Sequence, residues 1–322
     1  MNKILRKIII RILFIPGIQR RLGKICDFYE TVQIKTGVFS RDSREQKVCQ
    51  MNFRHYLPNT EERIERLRRV INKRPVAIIL PGFSARELEE RIGELKDCDI
   101  CYAGLNTFWP IEKYILKKIS RHLSIVMNSA DPGGEMDNIV DFLERPEDNI
   151  FISEKDSWRK KKIPEGFGLD NFIKKYDKKL LFFVATAALL PIIIRGESVF
   201  LQQVPTMKYP LHFLKQDSLS ILLSLAVIGG ASKVVLFGAD GGRVNPRELY
   251  FREADTKNRI FGSEDDLRIG TRIFNETMSL ILEEIYKVYN LKPIDIINCS
   301  EQSHYTPFRK LSYDKTFALL KY

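Results

Sequence analysis

The chain has 322 residues, of which 44% are hydrophobic, and it carries a formal net charge of +11. This apolar fraction supports a buried core and excludes an intrinsically disordered chain, and the length allows one large domain or two small ones. Five irregularly spaced cysteines without a secretory cleavage motif exclude a disulfide framework and are typical of a cytoplasmic protein. Cys98 and Cys101 form a C-x-x-C, but no second ligand pair lies at zinc spacing, so we expect buried apolar positions and no metal.

Cations crowd the N-terminus. The first fifteen residues, MNKILRKIIIRILFI, alternate cations with aliphatic residues, which suits either an amphipathic helix on an anionic membrane or an ordinary docking helix with solvated cations. Residues 1–24 are therefore the candidate for a peripheral contact with the inner face of the cytoplasmic membrane. No stacking aromatics or recognition motif accompany them, so nucleic acid is not an expected partner.

Residues 1–73 are predicted to form a basic, helix-rich appendage that ends in the helical stretch NTEERIERLRRVINKR. The longest apolar run, LLFFVATAALLPIII at 180–194, is interrupted by Pro191 and is shorter than the roughly 20 residues that a membrane span needs. It is therefore predicted to be core structure.

From residue 74 the pattern changes to alternating strands and helices. Strands are predicted at PVAIIL, DICYAGLN and HLSIVMN, each followed by a turn or a helical stretch. Further strands are predicted at NIFIS, SVFLQQV, KVVLFG and KPIDIIN, with helices at DSLSILLSLAVIGGA and TRIFNETMSLILEEIYKVYN. This alternation predicts a Rossmann-like α/β domain over 74–322, with a mostly parallel sheet and helices on both faces.

The segment 243–272 has no apolar period. Loops of this length inside a compact domain are usually lids or disordered segments. We therefore predict a lid-like insertion here.

Ligands of open parallel sheets bind beyond the carboxyl ends of the strands, so the residues at predicted strand ends are the site candidates. They are Pro81, Gly82, Phe83, Ser84, Asn106, Thr107, Asn128, Ser129, Asp131, Gly238, Asp240, Gly241, Asn298, Ser300 and, on the last loop, His304. This mostly uncharged set suits ribose hydroxyls and base edges better than a metal-bound triphosphate. Ser84 is expected to cap the following helix, with backbone N–H groups facing an anion, although the loop matches neither phosphate-loop nor dinucleotide fingerprints. Ser218, which begins a helix after Lys215, offers a second anion site.

The order of VAIILPGFSARELEE, ICYAGLNTFW, LSIVMNS, DSLSILLSLAVIGGASKVVLFGADGG and the C-terminal PIDIINCSEQSHYTPF resembles bacterial sialyltransferases that use CMP-sialic acid. It is also similar to 6-hydroxymethylpterin diphosphokinase-like proteins. The resemblance covers roughly residues 75–310. It implies a glycosyltransferase that moves a sugar, sialic acid or a related nonulosonic acid, from a CMP-type donor to a glycan or glycolipid acceptor, without a cofactor.

By this resemblance Asn106, Asn128 and Ser218 bind the nucleotide, Lys215 supplies a cation, and Tyr250 contacts the phosphate. The family's catalytic histidine has no counterpart in the predicted lid. Replacement bases are His304 and Asp240, with Glu253 and Asp255 as further candidates.

Two other readings stay open. An ATP-dependent pyrophosphokinase would need Mg²⁺ on carboxylates such as Asp131, Asp240 and Asp255. A non-catalytic Rossmann-like protein fits the altered first loop and the missing histidine. The sequence does not indicate an oligomeric state.

Overall fold

The structure is a computed structural model that describes residues 60–106, 108–128, 136–154, 169–186, 192–194, 197–199, 211–214, 218–241 and 264–321. The strands are, in chain order, β1 (Val76–Ile79), β2 (Cys101–Leu105), β3 (Ile125–Asn128), β4 (Ile150–Glu154), β5 (Leu180–Thr186), β6 (Ile192–Ile194), β7 (Glu197–Val199), β8 (Leu211–Leu214), β9 (Lys233–Phe237), β10 (Asp295–Asn298) and β11 (Arg309–Lys310). The α-helices are α1 (Thr60–Ile71), α2 (Ala85–Arg91), α3 (Trp109–Tyr114), α4 (Met136–Glu144), α5 (Leu169–Tyr176), α6 (Ser218–Ile228), α7 (Glu264–Val288) and α8 (Tyr313–Lys321). Short 3₁₀ helices lie at Ile92–Leu95, Leu116–Ile119 and Asp177–Lys179.

Nine strands form one sheet in the order β11-β10-β9-β1-β2-β3-β4-β5-β8, and every pairing in it is parallel. The chain builds outward from β1 in one direction and then returns to place β9 on the other side of β1. The strand order therefore reverses between β1 and β9. The Rossmann-like prediction, with a mostly parallel sheet and helices on both faces, is confirmed.

Alternating side chains of β1–β5, β9 and β10 pack into two separate cores, one on each face of the sheet. In β1, Val76 and Ile78 pack with α1, α6 and α7, whereas Ala77 and Ile79 pack with α2–α5 and α8. All four residues are 0% exposed. A strand that is buried on both faces reads as a continuous apolar run, which is why PVAIIL had no polar alternation.

Helix α6 is buried on every side. Its residues from Leu219 to Ile228 are all buried, including Ser220 and Ser224. Ser224 satisfies its hydroxyl by donating to the Ser220 carbonyl oxygen at 2.7 Å. Because α6 packs against the sheet on one side and against α1 and α7 on the other, an all-round apolar helix is what this position requires.

Helix α1 belongs to the core of the sheet, although the sequence analysis counted it with the N-terminal appendage. Its apolar face, which includes Ile64, Leu67 and Ile71, lies in the same core as α6. Arg63, 5% exposed, donates to the carbonyl oxygens of Asp177 at 2.7 Å and Leu180 at 2.6 Å and pairs with the Asp177 carboxylate. The structure thus ties the start of α1 to the start of β5. Residues 1–59 of the predicted appendage lie outside the described residues.

The predicted lid was too long at its C-terminal end. Helix α7 begins at Glu264, so residues 264–272 are helical, and only 243–263 lie outside the described residues. The acidic run Glu264, Asp265 and Asp266 is a helix start signal in the sequence, since carboxylates stabilise the first turn of a helix.

The structure also contains α4, α5, β8, β11 and α8, which were not predicted. The predicted strand over 198–204 is β7, Glu197–Val199, which pairs antiparallel with β6 outside the main sheet. The run at 180–194 contributes β5 and β6, and no helix within the described ranges is long and apolar enough to cross a membrane.

Cys101 is buried and Cys98 half-buried, so the apolar interpretation holds fully for Cys101 only. Burial raises the pKa of the Cys101 thiol to about 11. This thiol is therefore protonated at neutral pH and is a poor metal ligand or nucleophile.

Arg63→Ala should lower the free energy of unfolding by about 2–4 kcal/mol, because it leaves buried carbonyl oxygens and the Asp177 carboxylate without their donor. Arg69→Ala, which removes an exposed arginine of the same helix, should change it by less than about 0.5 kcal/mol. Urea denaturation of both variants makes the comparison. Equal effects would show that α1 is not held by Arg63.

Candidate functional site

The carboxyl ends of β1 and β9 are in direct contact at the point where strand order reverses. A Cβ on Gly82 would lie 2.1 Å from the Gly238 carbonyl oxygen, and one on Gly238 would lie 2.0 Å from the Leu80 carbonyl oxygen. Gly238 also has a φ of +67°, which favours glycine. Both glycines are therefore required for close approach of the two loops, and no ligand group fits between them.

The Asp240 side chain lies beside this contact between the two loops. The side chain is buried, with the residue 4% exposed. The carboxylate accepts hydrogen bonds from the Ser84 backbone N–H at 3.0 Å, from the Ser84 hydroxyl, and from the Ser300 hydroxyl at 2.7 Å. Asp240 thus joins the loops that follow β1, β9 and β10.

This bonding corrects the expectation for Ser84. The Ser84 side chain makes no capping hydrogen bond to α2, because its hydroxyl is directed to Asp240 instead. The Ser84 N–H, expected to face a ligand anion, also bonds this carboxylate. The anion at the first loop is therefore supplied by the protein itself.

The loop after β10 is fixed to the end of β9 by backbone and side-chain bonds. His304 N–H donates to the Asp240 carbonyl oxygen at 2.8 Å, while Asn298 and Ser303 both donate to the Ala239 carbonyl oxygen. His304 is itself exposed. Two of the candidate bases, Asp240 and His304, are therefore adjacent.

Asn106 and Asn128 lie side by side at the ends of β2 and β3. Leu105 pairs with Met127 in the parallel register, so the residues that follow them are neighbours. Asn106 has a φ of +50° and donates its N–H to the Met127 carbonyl oxygen at 2.7 Å. Asn128 is 1% exposed. The two amides end adjacent strands on the opposite side of β1 from β9.

The N-terminus of α6 lies at the same edge of the sheet. The connection that follows α6 is at the amino edge, since Ser232 N–H donates to the Arg74 carbonyl oxygen just before β1. An eleven-residue helix spans about 16 Å, roughly the length of a five-residue strand. Because α6 packs under β2 and β3, Ser218 begins the helix near the carboxyl ends of these strands.

The site candidates Ser129, Lys215 and Tyr250 lie outside the described residues, as do Asp131, Glu253 and Asp255. Within the described ranges no three His, Cys, Asp or Glu side chains converge as metal ligands.

The sequence predicted no role for two residues of the site. Ser300 was named only as a residue at the end of a strand, and Tyr313 was not named. Tyr313 donates its hydroxyl to the Ser84 carbonyl oxygen at 2.9 Å and is 3% exposed, and burial raises its pKa above the usual range. A hydroxyl that bonds across more than 200 positions leaves no local signal in the sequence.

The search of solved structures finds sialyltransferases. CstII of Campylobacter jejuni in complex with the substrate analogue CMP-3FNeuAc is 14% identical, with a TM-score of 0.38, and the match covers 74% of this chain and 86% of that one. CST-II in complex with a trisaccharide acceptor and CMP is 13% identical, with a TM-score of 0.36, over 73% and 86% of the two chains. No family model and no curated protein matches the sequence. Similarity at this level carries no information on the reaction.

Asp240→Ala should lower the free energy of unfolding by about 3 kcal/mol, since it leaves three buried or half-buried donors without their acceptor. Asp240→Asn should cost less, because the amide oxygen still accepts. Asp295→Ala is the matched control, as this exposed acid at the start of β10 has Arg309 Nη2 at 3.8 Å and should cost under about 0.5 kcal/mol. Denaturant titration compares the three variants, and a cost for Asp240→Ala no larger than that of the control would contradict the structural role.

Proposed function

We propose that the protein is a glycosyltransferase that takes a sugar from a CMP-type nucleotide donor and transfers it to a glycan or glycolipid acceptor. The observation that carries the proposal is that Asn106 and Asn128 end the adjacent strands β2 and β3, against which α6 packs. The side chains of Asn106, Asn128 and Ser218 on this half of the edge are uncharged, whereas the Asp240 carboxylate lies on the other half.

An asparagine amide has both an acceptor oxygen and two N–H donors. The Watson–Crick edge of cytosine presents the complementary set, with an amino donor and two acceptors. Amides at adjacent strand ends therefore suit the base and ribose of the nucleotide.

The free N–H groups and the partial positive charge of a helix N-terminus suit the phosphate. Ser218 opens an eleven-residue helix at this edge, and Lys215 precedes it in the sequence. These groups would stabilise the negative charge that grows on the phosphate as the sugar leaves. We propose that Tyr250 assists at the phosphate, as the sequence resemblance implies.

The acceptor hydroxyl also needs a base. His304 is the better of the two described candidates, because it is exposed, whereas the Asp240 carboxylate already accepts three hydrogen bonds. The unprotonated ring nitrogen of an imidazole can accept a proton, which is what a general base must do.

We propose that the nucleotide binds without Mg²⁺. The ATP-dependent pyrophosphokinase reading requires carboxylates that converge on phosphates, and the one described candidate, Asp240, is engaged with Ser84 and Ser300. The proposed contact of residues 1–24 with an anionic membrane would bring the enzyme to a lipid-linked acceptor.

The test is to titrate the protein with CMP, UDP, GDP and ATP, each with and without Mg²⁺, and to measure binding by isothermal titration calorimetry and by the shift in melting temperature. CMP should bind without metal, and Asn128→Ala and Ser218→Ala should each weaken CMP binding by about 1 kcal/mol or more, as expected for a lost hydrogen bond in a buried site. Asp295→Asn, at the opposite edge of the sheet, is the control and should bind CMP like the unaltered protein.

Binding of ATP only with Mg²⁺ would favour the pyrophosphokinase. No binding of any nucleotide would favour a non-catalytic protein. CMP binding that neither Asn128→Ala nor Ser218→Ala changes would show that the assigned site is wrong.

A further inference from the structure

A cleft of about 790 Å³ opens beside Asp240, between the start of α2 and the loop that follows β10. Ser84, Ser300 and Tyr313 line it, and all three are fixed by the hydrogen bonds that converge on Asp240 and on the Ser84 carbonyl oxygen. The volume is in the range of small-molecule sites. The cleft therefore has a rigid, polar lining and room for a ligand of one or two sugar rings.

Phe83 lies at this cleft and is 41% exposed, the sole large hydrophobic side chain classed as exposed within the described ranges. The Arg86 guanidinium lies 4.7 Å from the centroid of its ring. An exposed aromatic ring in a cleft with polar walls is typical of a ligand-binding surface. The face of the ring is the negative end of its quadrupole, and the C–H bonds on one face of a pyranose carry partial positive charge, so a sugar packs well on such a ring.

The charges of the cleft disfavour an anion. Three carboxylates line it, those of Glu87, Glu90 and Glu301, and all three residues are exposed. Arg91, one of the two cations in the lining, is paired with Glu87, Glu94 and Asp314 at 3.3, 2.8 and 2.7 Å. Its hydrogen bonds to Glu94 and Asp314 raise the pKa of this guanidinium above its usual range. With Arg86 as the second cation, the lining carries three carboxylates against two guanidinium groups, so its formal charge is negative and disfavours phosphate and carboxylate ligands. Its carboxylates can accept hydrogen bonds from neutral hydroxyl groups.

We propose that this cleft binds a neutral saccharide, with Phe83 as the stacking platform and Glu90 and Ser300 as hydrogen-bonding partners. That the saccharide is the acceptor rests on the proposed function. The cleft adjoins the Asp240 and His304 loops on one side of β1, whereas the proposed nucleotide site is at β2 and β3 on the other. Donor and acceptor would therefore approach the edge of the sheet from the two sides of β1.

Saturation-transfer NMR with the full chain tests the cleft, using methyl β-glucoside, lactose and maltose as neutral probes. At least one should bind, and Phe83→Ala should weaken that binding by about fivefold or more, as expected for loss of an aromatic contact. Phe83→Tyr keeps the ring and should restore binding. Because Phe83 is exposed, Phe83→Ala should keep the melting temperature and bind CMP like the unaltered protein.

The charge of the ligand is tested by a matched pair, methyl β-glucoside and methyl β-glucuronide, which differ by a carboxylate. The glucuronide should bind more weakly, and Glu90→Gln should narrow the difference. This second variant also tests the site if Phe83→Ala fails to fold, since Glu90 is exposed and lies near the end of α2, whereas Phe83 precedes this helix.

The outcomes separate the two proposals. Saccharide binding that depends on Phe83 supports the cleft, and it does so even if CMP fails to bind, a result that would overturn the nucleotide donor instead. If CMP binds but none of the three neutral probes does, or if Phe83→Ala leaves their binding unchanged, the saccharide site is overturned. Loss of CMP binding in Phe83→Ala would show that Phe83 stacks the base of the nucleotide, which also overturns it.

Discussion

The buried carboxylate of Asp240 is the interaction on which the carboxyl edge of the sheet depends. It accepts three hydrogen bonds from Ser84 and Ser300, and so it joins loops that follow three different strands. Such a group is stable in a buried position because the donors replace the water that it loses. Around it, Gly82 and Gly238 allow the backbones to approach, and Tyr313 bonds the Ser84 carbonyl oxygen. The point where strand order reverses, which in open α/β sheets is the usual ligand crevice, is closed by the protein's own groups.

This closure divides the edge into two parts with different chemistry. On the β2 and β3 side, Asn106 and Asn128 end their strands near the N-terminus of α6. Their amides suit a base and a ribose, and the helix N-terminus suits a phosphate. On the β9 and β10 side, a cleft with an exposed Phe83 and several carboxylates suits a neutral sugar. The proposed transfer reaction needs both binding sites near one reaction centre. The exposed His304, the proposed base, lies in the loop after β10, where its backbone N–H bonds the Asp240 carbonyl oxygen.

The sequence predicted the parts of the fold that depend on local pattern. Continuous apolar runs such as PVAIIL and KVVLFG indicated buried parallel strands, and their regular alternation with helices indicated the Rossmann-like sheet. The ends of the strands could be predicted too. Asn106 and Asn128 were placed at strand ends from the sequence, and in the structure they follow residues that pair across β2 and β3. The start of α7 was missed because Gly270 interrupts its apolar period, although its acidic first turn was visible. Helix α1 was predicted to belong to the N-terminal appendage because its charged residues outnumber its apolar ones. Its apolar residues nevertheless lie in the same core as α6.

Long-range partners could not be predicted. Ser84 has the sequence context of a helix cap, and only the fold brings the Asp240 carboxylate to it across 156 positions. Arg63 looks like one more surface cation, yet it is buried against the start of β5. Where a single polar side chain can bond either its own helix or a distant group, the choice depends on tertiary contacts that no local pattern contains.

Backbone amide chemical shifts during a CMP titration test the central claim, the division of the edge, most directly. The account predicts that shifts concentrate at residues 105–106, 127–128 and 218–221, with little change at 83–86 and 299–302. Shifts confined to the cleft at Phe83 and Ser300, or no shifts at saturating CMP, would contradict it.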